Sequence, residues 1–80
     1  MSQVTLYAKT DCHLCDVAIE LLKQFDLSLN IIDIQSQEEL MDRYGLFIPV
    51  ALFENGTSLN WPFDAAAIQS QLSAQNSYTG

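Results

Sequence analysis

The sequence has 80 residues, a net charge of −7 and an apolar fraction of 49 %, which predict one small domain with a thin margin of stability. Ten acidic residues against three basic ones argue against nucleic acid or an anionic membrane as a partner, since both require a basic face. The first residues lack a signal-peptide pattern, and no apolar run approaches the roughly 20 residues that span a bilayer, so we expect a cytoplasmic protein.

The first part of the chain predicts a strand, a helix and a second strand. Val4 to Ala8 form a β-branched and aromatic run, which is typical of a strand. Leu29 to Ile34 predict the second strand in the same way. Between them, apolar side chains recur at helical spacing and predict a helix with one apolar stripe: Leu14, Val17, Ala18, Leu21, Leu22 and Phe25.

The middle of the chain predicts a short helix. Ser36 and Glu39 have the spacing of a capping box, in which each side chain satisfies a backbone N–H of the first turn. Gly45 is a natural residue to end this helix. We expect its buried side to consist of Leu40, Met41 and Tyr44.

Two more strands and a final helix complete the pattern. Residues 50–53 and 57–61 predict the strands, and Asn55-Gly56 between them favours a tight hairpin turn. Asp64 is placed to cap the final helix, where Phe63 would pack onto Ile68 and Leu72 continues the apolar side.

The predicted order is therefore β-α-β-α-β-β-α, an α/β fold in which three helices flank a mixed four-stranded sheet. We expect the strands to lie in the order second, first, third, fourth. The domain would span residues 1–73, with residues 74–80 as a flexible C-terminal tail because they are polar and small.

The chemical signal is Cys12-His13-Leu14-Cys15, where the first strand passes into the first helix. Free backbone N–H groups and the helix dipole stabilise a thiolate there, and the thiolate is the attacking form of cysteine. Cys12 would attack a substrate disulfide, and Cys15, one turn deeper, would resolve the mixed disulfide. The pattern predicts a thiol–disulfide oxidoreductase with a redox-active CxxC disulfide.

Two alternatives stay open from the residues alone. Two cysteines and one histidine are too few for a four-ligand zinc site in one chain, but a dimer could share a metal or an iron–sulfur cluster. The other alternative is a redox-inert interaction domain that keeps the fold.

Neighbouring charges and one proline complete the candidate site. Lys9 would stabilise the Cys12 thiolate while Asp11 and Asp16 oppose it, so we expect a thiol pKa that is only partly lowered. His13 either relays protons or is an exposed turn residue. Pro49 precedes the third strand, where a proline predicts a special peptide geometry.

Taken together, these motifs resemble glutaredoxins of the thioredoxin superfamily, and most of all a group of short bacterial glutaredoxin-like proteins. The resemblance spans roughly residues 3–73 and is carried by three segments: Tyr7 to Cys15, Phe47-Ile48-Pro49 and the Asn55-Gly56 hairpin. It implies a thioredoxin-like fold of the glutaredoxin type.

The resemblance also implies residue roles. Cys12 would be the nucleophile and Cys15 the resolving thiol, with Pro49 in the cis form opposite the disulfide. The backbone of Ile48 would pair with an extended substrate, as in strand addition. Lys9 stands where glutaredoxins keep a lysine that meets a glutathione carboxylate.

Departures from the family pattern bear on the substrate. His13 and Leu14 replace the proline and aromatic residue usual between the cysteines, and residues 60–64 lack the glycine pair that holds glutathione. Asp64 could still place a carboxylate near a ligand, and Trp61 is either a docking residue or the end of an edge strand. No cofactor or metal is required; the expected partner of this monomer is a disulfide-containing protein or a glutathione-type small thiol.

Overall fold

The computed structural model describes residues 2–77, and of residues 74–77 the backbone only. Its elements follow the predicted order: strand β1 (Ser2–Ala8), helix α1 (His13–Leu22), strand β2 (Leu27–Asp33), a short 3₁₀ helix (Ile34–Ser36), helix α2 (Glu38–Tyr44), strands β3 (Val50–Phe53) and β4 (Ser58–Asn60), and helix α3 (Ala65–Ser77). None of the helices within residues 2–77 is long and apolar enough to cross a membrane.

The four strands form one mixed sheet in the order β2-β1-β3-β4, which confirms the predicted order. Strand β1 pairs parallel with β2 and antiparallel with β3, and β3 pairs antiparallel with β4. Because β1 and β2 are parallel, their carboxyl ends meet at one edge of the sheet, where Ala8 lies opposite Asp33. Helix α1 begins just beyond this edge.

The main core lies between one face of the sheet and the helices α1 and α3. Alternate residues of β1 and β3 meet buried residues of both helices and of the segment before α3 there: Val4, Leu6, Ala8, Ala51, Phe53, Cys15, Ala18, Leu22, Phe63, Ile68 and Leu72. Burying one large aliphatic side chain contributes about 1.5–3 kcal/mol. Packing on this face is therefore the main source of stability for so small a domain.

Helix α1 is rotated relative to the predicted stripe. Its buried residues are Cys15, Ala18 and Leu22, whereas Leu14 and Val17 are 46 % and 39 % exposed. The prediction that Leu14 and Val17 face the core was wrong, because the apolar side chains of this helix span a wider arc than the sheet covers.

The start of α2 also differs from the prediction. Ser36 lies in the 3₁₀ helix, where its hydroxyl donates to the carbonyl oxygen of Asp33 at 2.7 Å. Gln37 precedes α2 and makes no side-chain capping bond, so the capping box of Ser36 and Glu39 was wrong. Asp33 caps the 3₁₀ helix instead, since its Oδ1 accepts the N–H of Gln35 at 2.9 Å.

Helix α2 packs on the opposite face of the sheet from α1. The Tyr44 ring stacks on Tyr7 of β1, with centroids 4.3 Å apart. Met41 is 40 % exposed, so its predicted burial was wrong, while Leu40 and Tyr44 are half-buried. Gly45 ends the helix as predicted, but with right-handed backbone angles (φ −54°, ψ −32°).

Strands β3 and β4 are joined by a hairpin with Asn55-Gly56 in its turn, as predicted, and residues 54–56 form the loop between the hydrogen-bonded Phe53 and Thr57. The Phe53 N–H donates to the Thr57 carbonyl and the Gly56 N–H to the Phe53 carbonyl, both at 2.9 Å. Gly56 has a φ of 87°, a left-handed conformation that suits glycine and closes a three-residue hairpin loop.

The start of α3 agrees with the prediction. Asp64 Oδ1 accepts the N–H of Ala67 at 2.9 Å, and both Phe63 and Ile68 are buried in the main core. The helix continues to Ser77, beyond the predicted domain end at residue 73. Residues 78–80 of the predicted flexible tail lie outside the described residues, and the flexibility of the tail stays a prediction.

Candidate functional site

Cys12 and Cys15 meet at the start of α1, where they form a disulfide with Cα atoms 5.2 Å apart. Cys12 is the N-cap residue, with an extended backbone (φ −103°, ψ 106°). Its Sγ accepts a hydrogen bond from the backbone N–H of Cys15 at 3.1 Å. The sulfur thus takes the place that a serine or aspartate oxygen takes at an ordinary helix N-cap.

The two sulfurs of this bridge differ in exposure. Cys15 is 2 % exposed and belongs to the main core, whereas Cys12 is partly exposed and packs at the margin of the core. Thiol exchange requires that the attacking and attacked sulfurs can reach each other. The geometry therefore supplies the asymmetry that an outer nucleophile and an inner resolving thiol require.

A left-handed residue prepares the turn into α1. Asp11 has a φ of 61°, a conformation that aspartate tolerates better than most residues with a side chain. The turn leaves Cys12 in the extended backbone that an N-cap needs. Lys9, Asp11 and Asp16 are all exposed, so water screens the charge that each presents to the sulfur.

A cleft of about 180 Å³ reaches Cys15 from the edge where β1 and β2 end. It is lined by Ala8, Lys9, Thr10, Cys15, Asp16, Ile19, Ile31 and Asp33. Lys9 and the inner cysteine thus line the same cleft. The sequence analysis missed Thr10 and Asp33, whose side chains are linked by a hydrogen bond of 3.4 Å. The parallel pairing of β1 and β2 was the signal that could have placed them there.

The Ile48–Pro49 peptide bond is cis, as the resemblance implied, and Pro49 is fully buried. The carbonyl oxygen of Pro49 accepts the backbone N–H of Trp61 at 3.1 Å. The Ile48 N–H donates to the carbonyl oxygen of Tyr44 at 3.1 Å. Because the Ile48 N–H is already used, only the Ile48 carbonyl is left to pair with an extended substrate in this conformation. The predicted packing of Pro49 against the disulfide stays a prediction.

Trp61 and Asp64 follow strand β4 in the chain and precede α3. The half-buried Trp61 ring meets Phe63 edge to face, with centroids 5.1 Å apart and planes at 77°. Asp64 lines a different cavity from Cys15, one of about 380 Å³. Because one Asp64 oxygen already caps α3, the predicted role of Asp64 in ligand binding competes with a structural role.

His13 and Tyr7 complete the surroundings of the site. His13 is exposed and is the first residue of α1. Burial, reinforced by the neighbouring Tyr44, raises the pKa of Tyr7. The Tyr7 hydroxyl therefore stays protonated at neutral pH, and the Tyr7–Tyr44 stack fixes α2 to the sheet. Within residues 2–77 no group of three or more His, Cys, Asp or Glu side chains is arranged to hold a metal ion.

Comparisons with known proteins agree with this architecture. The solved structures of target protein XcR50 from X. campestris are similar to this chain. The X-ray structure has a TM-score of 0.81 and 38 % sequence identity, covering 89 % of this chain and 96 % of that one. The solution structure has a TM-score of 0.70 and 39 % identity, covering 92 % and 95 %. No curated protein matches the sequence. Residues 3–73 match the model of the Glutaredoxin-like domain (DUF836), and the chain therefore belongs to this glutaredoxin-like family of the thioredoxin superfamily.

Proposed function

We propose that this protein is a thiol–disulfide oxidoreductase that acts through Cys12 and Cys15. The observation that carries the proposal is the unequal exposure of two bonded sulfurs at one helix N-terminus, with Cys15 only 2 % exposed and Cys12 reachable from solvent. A purely structural bridge at this spacing would stabilise the fold little, because so short a loop hardly restricts the unfolded chain.

The helix supports the thiolate form of Cys12 in the reduced protein. The backbone N–H of Cys15, 3.1 Å from the Cys12 sulfur in the bridge, is a donor for the thiolate. A hydrogen bond to a charged group contributes about 1.5–3 kcal/mol, and the helix dipole adds about 0.3–1 kcal/mol. Water competes for this partly exposed sulfur, so the lower ends of both ranges apply.

In the first step, the Cys12 thiolate attacks one sulfur of a substrate disulfide R–S–S–R′. A bond forms between Cys12 Sγ and the R sulfur, the S–S bond of the substrate breaks, and R′S⁻ leaves and takes a proton from solvent. In the second step, Cys15 loses its proton and attacks Cys12 Sγ, releasing RS⁻. Two electrons pass to the substrate, which ends as two thiols, and the Cys12–Cys15 disulfide is restored.

A thiol reductant must then reduce the bridge. We favour a protein dithiol over glutathione, because Asp64 is engaged in capping α3 and the segment from residue 60 to 64 has no glycine. The substrate in this proposal is a protein disulfide, and no bound cofactor takes part. A CxxC pair that cycles through free thiols suits a reducing compartment, so we place the protein in the cytoplasm.

A single-turnover assay tests the proposal. The reduced protein is mixed with a short peptide whose cysteine carries thionitrobenzoate, and release of the coloured thiolate is followed by absorbance. Wild type should release it rapidly and return to the intramolecular disulfide. Cys15→Ser should also release it, but stop as a peptide adduct on Cys12 that mass spectrometry detects, because the resolving thiol is absent.

The matched variant Cys12→Ser should react no faster than a free thiol in solution, because the remaining sulfur is buried. Far-UV circular dichroism confirms that each variant is folded. Release by Cys12→Ser at the wild-type rate, or a peptide adduct on Cys15, would end the proposal.

A further inference from the structure

A shallow groove runs along the face of α1 that points away from the sheet. It measures about 420 Å³, its walls are largely apolar, and the described residues that line it are His13, Asp16, Val17, Glu20, Leu21 and Gln24. These residues share one helix face because they are three or four positions apart. The groove starts at His13, between the two cysteines, and its length along the helix is about 16 Å.

Two carboxylates lie close together on this groove. Asp16 and Glu20 are four residues apart on the same face, where two like charges destabilise a helix. Glu20 also lies in the last turn of α1, where the negative end of the dipole disfavours an anion, and Lys23 follows as the C-cap residue. Such breaks of local preference concentrate at functional surfaces.

The groove also exposes apolar surface between its charges. Val17 is 39 % exposed and lies between the two carboxylates along the groove. An apolar surface rimmed by charges of one sign fits a ligand with apolar side chains and the opposite charge.

We infer that this groove is a docking site for a basic, apolar segment of the disulfide-bearing protein partner. The inference rests on the proposed function and adds the class of partner to it. A segment seated along α1 would enter beside His13 and so bring a nearby disulfide to Cys12. Lysine or arginine side chains would meet Asp16 and Glu20, and apolar side chains would cover Val17.

Charge also decides against a second copy of the chain as the occupant. The protein has a net charge of −7, so two copies repel each other at an acidic groove. One face of a single ten-residue helix buries less area than a standard protein interface, which suits the brief encounter that a redox reaction needs.

Equilibrium binding tests the docking site apart from any chemistry. The probes are two fluorescein-labelled twelve-residue peptides without cysteine, which contain the same leucines and differ only in carrying lysines or glutamates. Fluorescence anisotropy should show that the oxidised protein binds the lysine peptide more tightly. Glu20→Lys should weaken that binding about fivefold to tenfold, because it replaces a favourable exposed charge pair by a repulsive one.

Two control variants separate the groove from general charge and hydrophobicity. Glu38→Lys makes the same change of net charge on α2, and Met41→Gln removes an apolar side chain that is 40 % exposed, against 39 % for Val17. Glu38→Lys and Met41→Gln should bind the lysine peptide within about twofold of wild type, whereas Val17→Gln should bind it several times more weakly. Equal effects of Glu20→Lys and Glu38→Lys, or no preference for the lysine peptide, would overturn the inference.

Turnover distinguishes failure of this inference from failure of the proposed function. Relative to an uncharged small disulfide, wild type should reduce a lysine-containing peptide disulfide preferentially, and Glu20→Lys should lose that preference whereas Glu38→Lys keeps it. If wild type reduces the small disulfide and shows no peptide preference, the docking site is wrong and the oxidoreductase stands. If no disulfide is reduced while the peptide still binds, the proposed function is wrong. If analytical ultracentrifugation shows that wild type is a dimer and that Val17→Gln is a monomer, the groove is a self-association surface, and the inferred docking of a partner segment is wrong.

Discussion

Asp64→Ala should lower the free energy of unfolding by about 1–2 kcal/mol. The change removes the hydrogen bond from the Ala67 N–H to Asp64 Oδ1, 2.9 Å in the structure, and an N-cap of this kind contributes about 0.5–2 kcal/mol. It also removes a negative charge from the positive end of α3, which is worth about 0.3–1 kcal/mol. For a domain of this size each kcal/mol corresponds to about 4–8 °C in Tm.

Asp64→Asn is the matched variant, because asparagine keeps a capping oxygen and loses only the charge. It should cost about 0.3–1 kcal/mol, less than Asp64→Ala. Urea unfolding followed by far-UV circular dichroism, with the Cys12–Cys15 bridge intact in every sample, measures both values. An Asp64→Ala variant as stable as wild type would refute the capping argument. A stable Asp64→Asn variant that selectively lost turnover with glutathione would instead assign the carboxylate to ligand binding.

Three further changes test the packing, the hairpin and one titration. Because the pKa of Tyr7 is raised in the folded state, its contribution to the free energy of unfolding is complete below pH about 10 and falls as the pH rises through the folded pKa. Between pH 8 and 10.5 the free energy of unfolding, measured with urea, should therefore fall more for wild type than for Tyr7→Phe. Equal losses in the two proteins would contradict this. Gly56→Ala should cost about 1–2 kcal/mol in urea unfolding, since its φ of 87° is left-handed, and an unchanged midpoint would contradict the turn geometry. Leu22→Ala should lower the free energy of unfolding by about 2–5 kcal/mol, and Leu14→Ala, at a half-exposed position, by less than about 1 kcal/mol. Equal losses in urea unfolding would contradict the assignment of Leu22 to the buried face of α1 and of Leu14 to its exposed face.

The fold was predictable because each element carries its own local signal. The hydrophobic run of β1, the capping residue Asp64 and the turn at Gly56 each act through neighbours within a few positions, and all three appear where they were expected. The capping box of Ser36 and Glu39 failed because a neighbouring residue, Asp33, competes for the same segment. Asp33, at the end of β2, bonds to the N–H of Gln35 and the hydroxyl of Ser36, so Ser36 lies in a 3₁₀ helix that precedes α2.

The candidate site was predictable at its centre and less so at its rim. Cys12 could be placed at a helix N-terminus from sequence, because a strand pattern directly precedes an apolar helical pattern. The contact of Thr10 with Asp33 depends on the register of β1 against β2, two strands that a whole helix separates in the chain, so sequence spacing does not fix it. The bond from the Trp61 N–H to the Pro49 carbonyl continues the register of β3 and β4, in which Val50 lies opposite Asn60.

The error in the face of α1 and the burial of Cys15 have one cause. Cys15 was counted as a reactive group and left out of the apolar stripe, although a cysteine also packs as a small hydrophobic residue. Counting it gives positions 15, 18, 19 and 22, which together with Leu21 are the buried and half-buried positions of the helix, and leaves Leu14 and Val17 outside. The inner sulfur is thus held by the same packing that holds the domain. Replacing Cys15 by the more polar serine should therefore change stability as well as chemistry, which is why the trapped adduct must be measured on a variant shown to be folded.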